Sequence, residues 1–222
     1  MQKQEGENVK VSAIYGNFDD AQSFLKRVFT NEEVNAYAND KGVLFSSANS
    51  INIGRLFPQI AYYVSTYVSL VDNGAIAEDE PFDVVVPTGN FGNILAGYFA
   101  KKMGVPIGKL ICASNKNNVL ADFFATGVYN MNREFYTTDS PSMDILLSSN
   151  FERFLFYVAG EDVEKVAKWE HDLLETGRMS VTPQELAALT EDFEGGWIDD
   201  DETEAVINHV YNDFGYLLDP HT

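Results

Sequence analysis

The sequence holds one cysteine, Cys112. A single thiol cannot close an internal disulfide, and a thiolate metal site would lack its second ligand. The setting Leu110-Ile111-Cys112-Ala113 reads instead as a buried strand, with the thiol acting as a small core hydrophobe. Histidines number only three, and no H-E-x-x-H or Cys/His spacing is present, so no metal centre is expected. There is no G-x-S-x-G nucleophile elbow. No apolar run is long enough to span a bilayer; the best candidate, Ile60 to Val71, is short and flanked or interrupted by Gln59, Tyr62, Tyr63, Ser65 and Thr66. The stretch Met1 to Lys10 is polar and carries no apolar signal core, which makes a cytoplasmic location the default expectation.

Positive charge is also scarce. Fifteen Lys and Arg face 34 Asp and Glu, a formal net charge of -19. That balance disfavours nucleic acid and anionic membrane surfaces as partners. Residues 161–222 carry 17 acidic and 3 basic side chains, as solvated helical faces do. What the chain does have is apolar content: 45% of its 222 residues are hydrophobic. That suffices for the core of one α/β domain or a domain with an extension.

Strand and helix signals alternate in the first part. Val9 to Tyr15 reads as a β-prone run ended by Gly16-Asn17, and Phe18 to about Phe29 as a helix with Phe24, Leu25, Val28 and Phe29 on one face. Val43 to Ser47 reads as a strand and Gly54 to Val71 as a helix with Pro58 near its start. Phe82 to Pro87 is the clearest strand, apolar enough to be covered on both faces. A helix over Asn93 to Met103, a strand over Lys109 to Ala113 and a helix over Asn118 to Gly127 follow. This is the pattern of an α/β fold, a parallel sheet with helices on both faces. From Ser142 onward only helical periodicity is visible, over 142–159, 161–175, 183–191 and 202–214. Helix starts stand at Thr182-Pro183-Gln184-Glu185 and at Asp199 to Thr203. The expected organisation is therefore an α/β part over 1–141 and an all-helical acidic extension over 142–222, packed on the same domain.

Ligands of parallel sheets bind at the carboxyl ends of the strands, which directs attention to three loops. Pro87-Thr88-Gly89-Asn90-Phe91-Gly92-Asn93 joins a strand to a helix N-terminus. Unpaired N–H groups there suit a phosphate, although the same glycines would also serve a tight βα turn. Ser46-Ser47-Ala48-Asn49-Ser50-Ile51-Asn52-Ile53-Gly54-Arg55 groups small polar side chains with one arginine. It could pair with an anion, or be an Asn/Ser-rich helix cap with Arg55 in a surface ion pair. Ala113 to Asn118 could line the same cleft, with capping of the next helix favoured. Leu218-Asp219-Pro220-His221-Thr222 says little by itself. His171 and His209 lie on acidic helical faces and are expected in solvent.

The segments Ser47 to Leu56 with Gln59-Ile60-Ala61-Tyr62-Tyr63, and Val86 to Asn93 with Ala96-Gly97-Tyr98-Phe99-Ala100-Lys101, resemble those of threonine synthase. So do Gly16 to Gln22, Thr138 to Asp144 and Gly215 to Thr222, all in the family's order and across nearly the whole chain. The resemblance implies a tryptophan-synthase-β-like fold, the cofactor pyridoxal 5'-phosphate (PLP), and conversion of O-phospho-L-homoserine and water into L-threonine and phosphate. It implies that Gly89, Asn90, Phe91, Gly92 and Asn93 hold the PLP phosphate. It also implies that Asn49, Ser50, Asn52 and Arg55 bind substrate, without single roles. The family's cofactor is held by a lysine Schiff base in a Phe-Lys-Asp-like context, and none of the ten lysines here stands in one. No catalytic residue is therefore assigned. The chain reads as an internal or C-terminal-side piece of such an enzyme, inactive by itself. A non-catalytic phosphate- or PLP-binding module, or a helical interaction domain built on the acidic half, are the other readings. The sequence leaves the oligomeric state open.

Overall fold

The computed structural model describes residues 6–16, 18–50 and 52–222, the side chains of Phe18 and Asp19 excepted. Asn17 of the expected turn and Ile51 of the Asn/Ser-rich loop lie outside the described residues. The chain divides into two compact units, Met1–Ser46 and Ser47–Thr222.

The first unit contains α1 (Phe18–Thr30) and α2 (Glu32–Asp40). The first helix is the one expected. The second was not foreseen, although Asn31 caps it by accepting from the Val34 N–H at 2.9 Å. The strand expected over Val9 to Tyr15 does not form. That stretch is irregular apart from an antiparallel bridge between Gly6 and Val9. A strand is stabilised only by a partner ladder, and none exists among the described residues of this unit. Val43 to Ser47 is irregular as well, which corrects the second expected strand.

In the second unit, the helix expected from Gly54 is split. It runs as α3 (Ile53–Leu56), a 3-10 turn at Phe57–Gln59 and α4 (Ile60–Asp72). Pro58 stands at the break, where its missing N–H and fixed φ are tolerated. Then come β1 (Phe82–Pro87), α5 (Gly92–Lys102), β2 (Ile107–Ser114), α6 (Val119–Thr126) and β3 (Val128–Asn130). They are followed by α7 (Phe151–Val158), α8 (Val163–Thr176), β4 (Arg178–Ser180), α9 (Pro183–Asp192), β5 (Phe193–Trp197) and α10 (Asp200–Phe214). The main sheet has the order β1-β2-β5 and is parallel throughout, with Val86 beside Cys112 and Cys112 beside Gly195. A parallel sheet flanked by helices is the α/β fold expected.

Two features of the expected fold need correction. First, the part after Ser142 is not all-helical: it supplies β5 to the main sheet and β4 to an antiparallel pair with β3. The β5 sequence Phe193-Glu194-Gly195-Gly196-Trp197 has little β-propensity. Gly195 is there because α6 lies directly on it: a Cβ would come within 2.8 Å of the Ala121 Cα. Second, β1 is an edge strand covered on one side only. Val86 is buried, whereas Val85 is 62% exposed, so an apolar run did not mean burial on both faces here.

The core sits against the buried face of the sheet. Val86, Leu110, Cys112 and Phe193 meet Ile94 and Leu95 of α5, Leu120 and Phe124 of α6, and Phe151 and Phe154 of α7 in one cluster. The helix ends follow local chemistry. Thr182 with Glu185 and Asp199 with Glu202 both form capping boxes, and Gly177 and Gly215 end α8 and α10 at φ 70° and 67°.

Candidate functional site: the loops at the carboxyl ends of the strands

The loop after β1 is held at both ends. Thr88 donates its N–H to the Ala113 carbonyl at 2.8 Å and its Oγ1 hydrogen to the Val86 carbonyl at 2.6 Å. At the far end Phe91 takes the left-handed conformation, φ 62°, which costs on the order of 1–3 kcal/mol for a non-glycine residue. Its ring is 1% exposed, edge-on to Phe151 at 5.2 Å and beside Phe154 at 5.3 Å. Burying a phenyl ring is worth about 1.5–3 kcal/mol, with more from the aromatic contacts, so the core offsets the strain. The backbone alone of Phe91 faces the loop. α5 then starts at Gly92 with its positive dipole end at the loop. The N–H groups of Gly89, Asn90 and Phe91 donate to no acceptor among the described residues. A row of unpaired donors at a helix start is an arrangement that suits an anion.

Gly89 serves packing. A Cβ on it would lie 3.1 Å from the Ser142 carbonyl oxygen and 3.3 Å from the Met143 Cα. At Gly92 the nearest atom would be the Asn150 Nδ2, an ordinary contact at 3.4 Å. The loop is buttressed by a segment expected to be helical. Residues 144–150 are irregular, preceded by a 3-10 turn at Pro141–Met143. Ser148, Ser149 and Asn150 are weak helix formers, and their polar groups bond across to the loop instead. Ser148 Oγ donates to the Gly89 carbonyl at 2.8 Å. The Asn150 N–H and Nδ2 both donate to the Asn90 carbonyl, at 3.1 and 2.8 Å. Ser149 Oγ donates to Asn90 Oδ1 at 3.1 Å. These three buried residues were missed in the sequence; only their low helix propensity could have marked them.

The Asn/Ser-rich loop meets the segment that buttresses the first loop, where Ser50 Oγ lies 3.2 Å from Ser149 Oγ. Asn52 is a helix cap, accepting from the Gly54 N–H at 2.8 Å and donating to the Ser47 carbonyl at 2.6 Å. Asn49 Oδ1 accepts from Ser47 Oγ at 2.6 Å. Arg55 is exposed and donates through Nη1 to the Ala48 carbonyl at 3.2 Å, not to an acidic partner. The helix that follows is tied to Asn93. Gln59 Oε1 accepts from Asn93 Nδ2 at 2.9 Å, and the Tyr63 hydroxyl donates to Asn93 Oδ1 at 2.7 Å. Burial pushes the Tyr63 phenol above its ordinary value. The side chain of Asn93 is thus occupied within the fold.

The third loop does not cap as expected. Asn118 precedes α6, but its side-chain oxygen accepts from Arg133 Nη1 at 2.7 Å and makes no cap bond. Asn115 and Asn117 instead hold Asp144. The Asp144 carboxylate is 6% exposed and accepts from both Nδ2 groups and from the Thr138 Oγ1 and N–H. Four donors stabilise a charge that would otherwise be costly to bury. The last residues fold back on the same wall. His221 Nε2 accepts from the Ser142 N–H at 3.3 Å, so Nδ1 carries the hydrogen and meets Asp219 Oδ1 at 2.9 Å. The His221 backbone N–H and then its ring hold the Asp219 carboxyl below its usual range. Cys112 is fully buried, its thiol pushed up to about 12 by burial. His171 and His209 are exposed, as expected.

No family model matches the chain. It is 44% identical over 218 residues to human threonine synthase-like 1, covering 97% of this chain and 29% of that protein. It is 40% identical to the threonine synthase of Eremothecium gossypii, covering 98% of this chain and 43% of that one. The fold matches the crystal structure of PLP-bound threonine synthase from Brucella melitensis with a TM-score of 0.81 and 42% identity, over 93% of this chain and 42% of that chain. The chain spans less than half the length of each. Over nearly all of its own length, it is a homologue of the threonine synthases in sequence and fold.

Proposed function

We propose that this chain supplies the phosphate-binding wall of a PLP-dependent threonine synthase. The row of N–H groups of Gly89, Asn90 and Phe91 at the start of α5 carries the reading. In it, Gly92 and Asn93 add the first helical N–H groups and the Asn90 amide adds a side-chain donor. The donors are neutral, fixed and free of side-chain bulk, so they suit a phosphate monoester dianion. When bound, PLP would serve as the electron sink for the loss of phosphate from O-phospho-L-homoserine and the addition of water that yields L-threonine. Asn49, Ser50, Asn52 and Arg55 would face the substrate, Arg55 through the guanidinium hydrogens not given to Ala48. Nothing in the chain is assigned to move protons at the substrate carbons, and turnover by this chain alone is not expected.

A second reading is a phosphate- or PLP-binding module without catalysis. It is favoured by the human relative, which is named threonine synthase-like at 44% identity. One experiment addresses both. Binding of PLP to the purified chain would be titrated by fluorescence with and without inorganic phosphate, and phosphate release from O-phospho-L-homoserine followed in parallel. Phosphate-competed PLP binding without release is expected. Absence of competition would overturn the cradle, and release by the chain alone would overturn its inactivity. Turnover by a longer protein containing this sequence separates the enzyme from the module.

A further inference from the structure

The Ser149 side chain has one proton and several neighbours, and counting protons assigns every bond around it. Its backbone N–H can only donate, and it points at Asn90 Oδ1 at 3.4 Å. Its hydroxyl donates to the same oxygen at 3.1 Å. Both bonds require the oxygen of the Asn90 amide to face Ser149, since the amide nitrogen accepts nothing. The Asn90 Nδ2 group is thereby turned away from Ser149. The Ser149 oxygen in turn receives Asn150 Nδ2 at 3.4 Å and stands 3.2 Å from Ser50 Oγ. With the Ser149 hydrogen spent on Asn90, Ser50 is the donor of that last pair and offers only lone pairs outward. Ser149 is 3% exposed and Asn150 is fully buried, so these bonds are sheltered from water at the Ser149 end.

We propose that Ser149 is a positioning residue for phosphate recognition: it locks the Asn90 amide with its NH2 as the donor to the anion, and links that lock to Ser50. The proposal rests on the phosphate-cradle reading above. An unlocked asparagine amide can present oxygen as readily as nitrogen, and an oxygen facing a phosphate dianion repels it. The locked amide is therefore worth more to a phosphate than to a ligand without one. Ser50, by the same count, meets a donor on any ligand, such as an ammonium or hydroxyl, and not an anionic oxygen.

The test is the affinity of the chain for PLP relative to pyridoxal, which has the same ring without the phosphate, read by fluorescence titration. Ser149→Ala is expected to lower the PLP-to-pyridoxal preference about tenfold, the scale of one charge-assisted hydrogen bond, with pyridoxal affinity unchanged. In an Asn90→Ala background the same change is expected to have no further effect. Equal loss for both ligands, or additivity with Asn90→Ala, would make Ser149 merely structural and overturn the proposal. Asn90→Asp does not depend on Ser149→Ala folding. It keeps oxygens toward Ser149 and puts a carboxylate oxygen where the NH2 stood, so the preference should vanish; retained preference would show the amide orientation to be wrong. Equal wild-type affinity for PLP and pyridoxal would sink the cradle itself, whereas a wild-type preference that survives both variants sinks only the role of Ser149.

Discussion

Asn115 Nδ2 sits 2.9 Å from Asp144 Oδ1, and that bond ties the end of β2 to the wall behind the glycine loop. The carboxylate organises four donors and has no cation among its bonded partners. Asp144→Ala would leave the buried Thr138 N–H without an acceptor and remove one bond each from Asn115 Nδ2, Asn117 Nδ2 and Thr138 Oγ1, at a cost on the order of 2–4 kcal/mol. Asp144→Asn should lose less, because only the acceptor for the Thr138 N–H is replaced by a donor. Urea unfolding of the three proteins checks this order. An Ala variant as stable as the wild type would remove the knot from the account.

Gly89 and Gly92 look alike in sequence but differ in space. Gly89→Ala drives a methyl group toward the backbone at Ser142 and Met143 and should destabilise the protein by about 1–3 kcal/mol. Gly92→Ala, in helical backbone where a methyl group meets only the Asn150 amide at an ordinary distance, should change stability by less than about 0.5 kcal/mol. Thermal melts of both variants decide; the reverse order would contradict the close approach described.

Cys112 is fully buried in the central strand and its thiol is pushed up to about 12. The thiolate is therefore absent at pH 8 in the native protein. A thiol reagent at that pH should label the chain only along its urea unfolding transition. Rapid labelling without denaturant would show that the sheet face over Cys112 opens readily.

Burial acts to raise the Glu185 carboxyl, but the Lys165 ammonium and the Thr182 backbone and hydroxyl donors outweigh it, and the group is held below its ordinary range. A depressed folded value stabilises the protein above the unfolded glutamate pKa and is lost as pH falls through the folded one. The melting-temperature gap between wild type and Glu185→Gln should thus be widest near neutrality and close below about pH 4. A gap that persists in acid would assign the effect to shape, not charge.

Much of the fold could be read from the chain because it depends on neighbours in sequence. The helix starts at Thr182 and Asp199 and the strands expected over Phe82 to Pro87 and Lys109 to Ala113 are local signals, and the structure has a helix or strand at each, the second strand extended to Ile107–Ser114. The glycine loop was legible for the same reason. What escaped was set at long range. β5 is a strand because α6 rests on Gly195 and β2 offers a ladder, not because its residues favour extension. Residues 148–150 lie within a stretch, 142–159, whose periodicity reads as helical, yet Gly89 and Asn90, nearly sixty positions earlier, take their hydrogen bonds. The expected strands in the first unit failed for the converse reason: local propensity was present and, among the described residues, a partner was not.

The pairing of Leu110 with Phe193 sets a timetable for folding. β1 and β2 meet through one short helical crossover, so their half of the sheet can assemble from contacts close in sequence. β5 must wait until α6 to α9 have been gathered, because its ladder closes a loop of roughly eighty residues whose entropy is lost before any bond is made. Until then one edge of β2 stands open, and the slowest step in forming the protein is expected to be the closing of that edge.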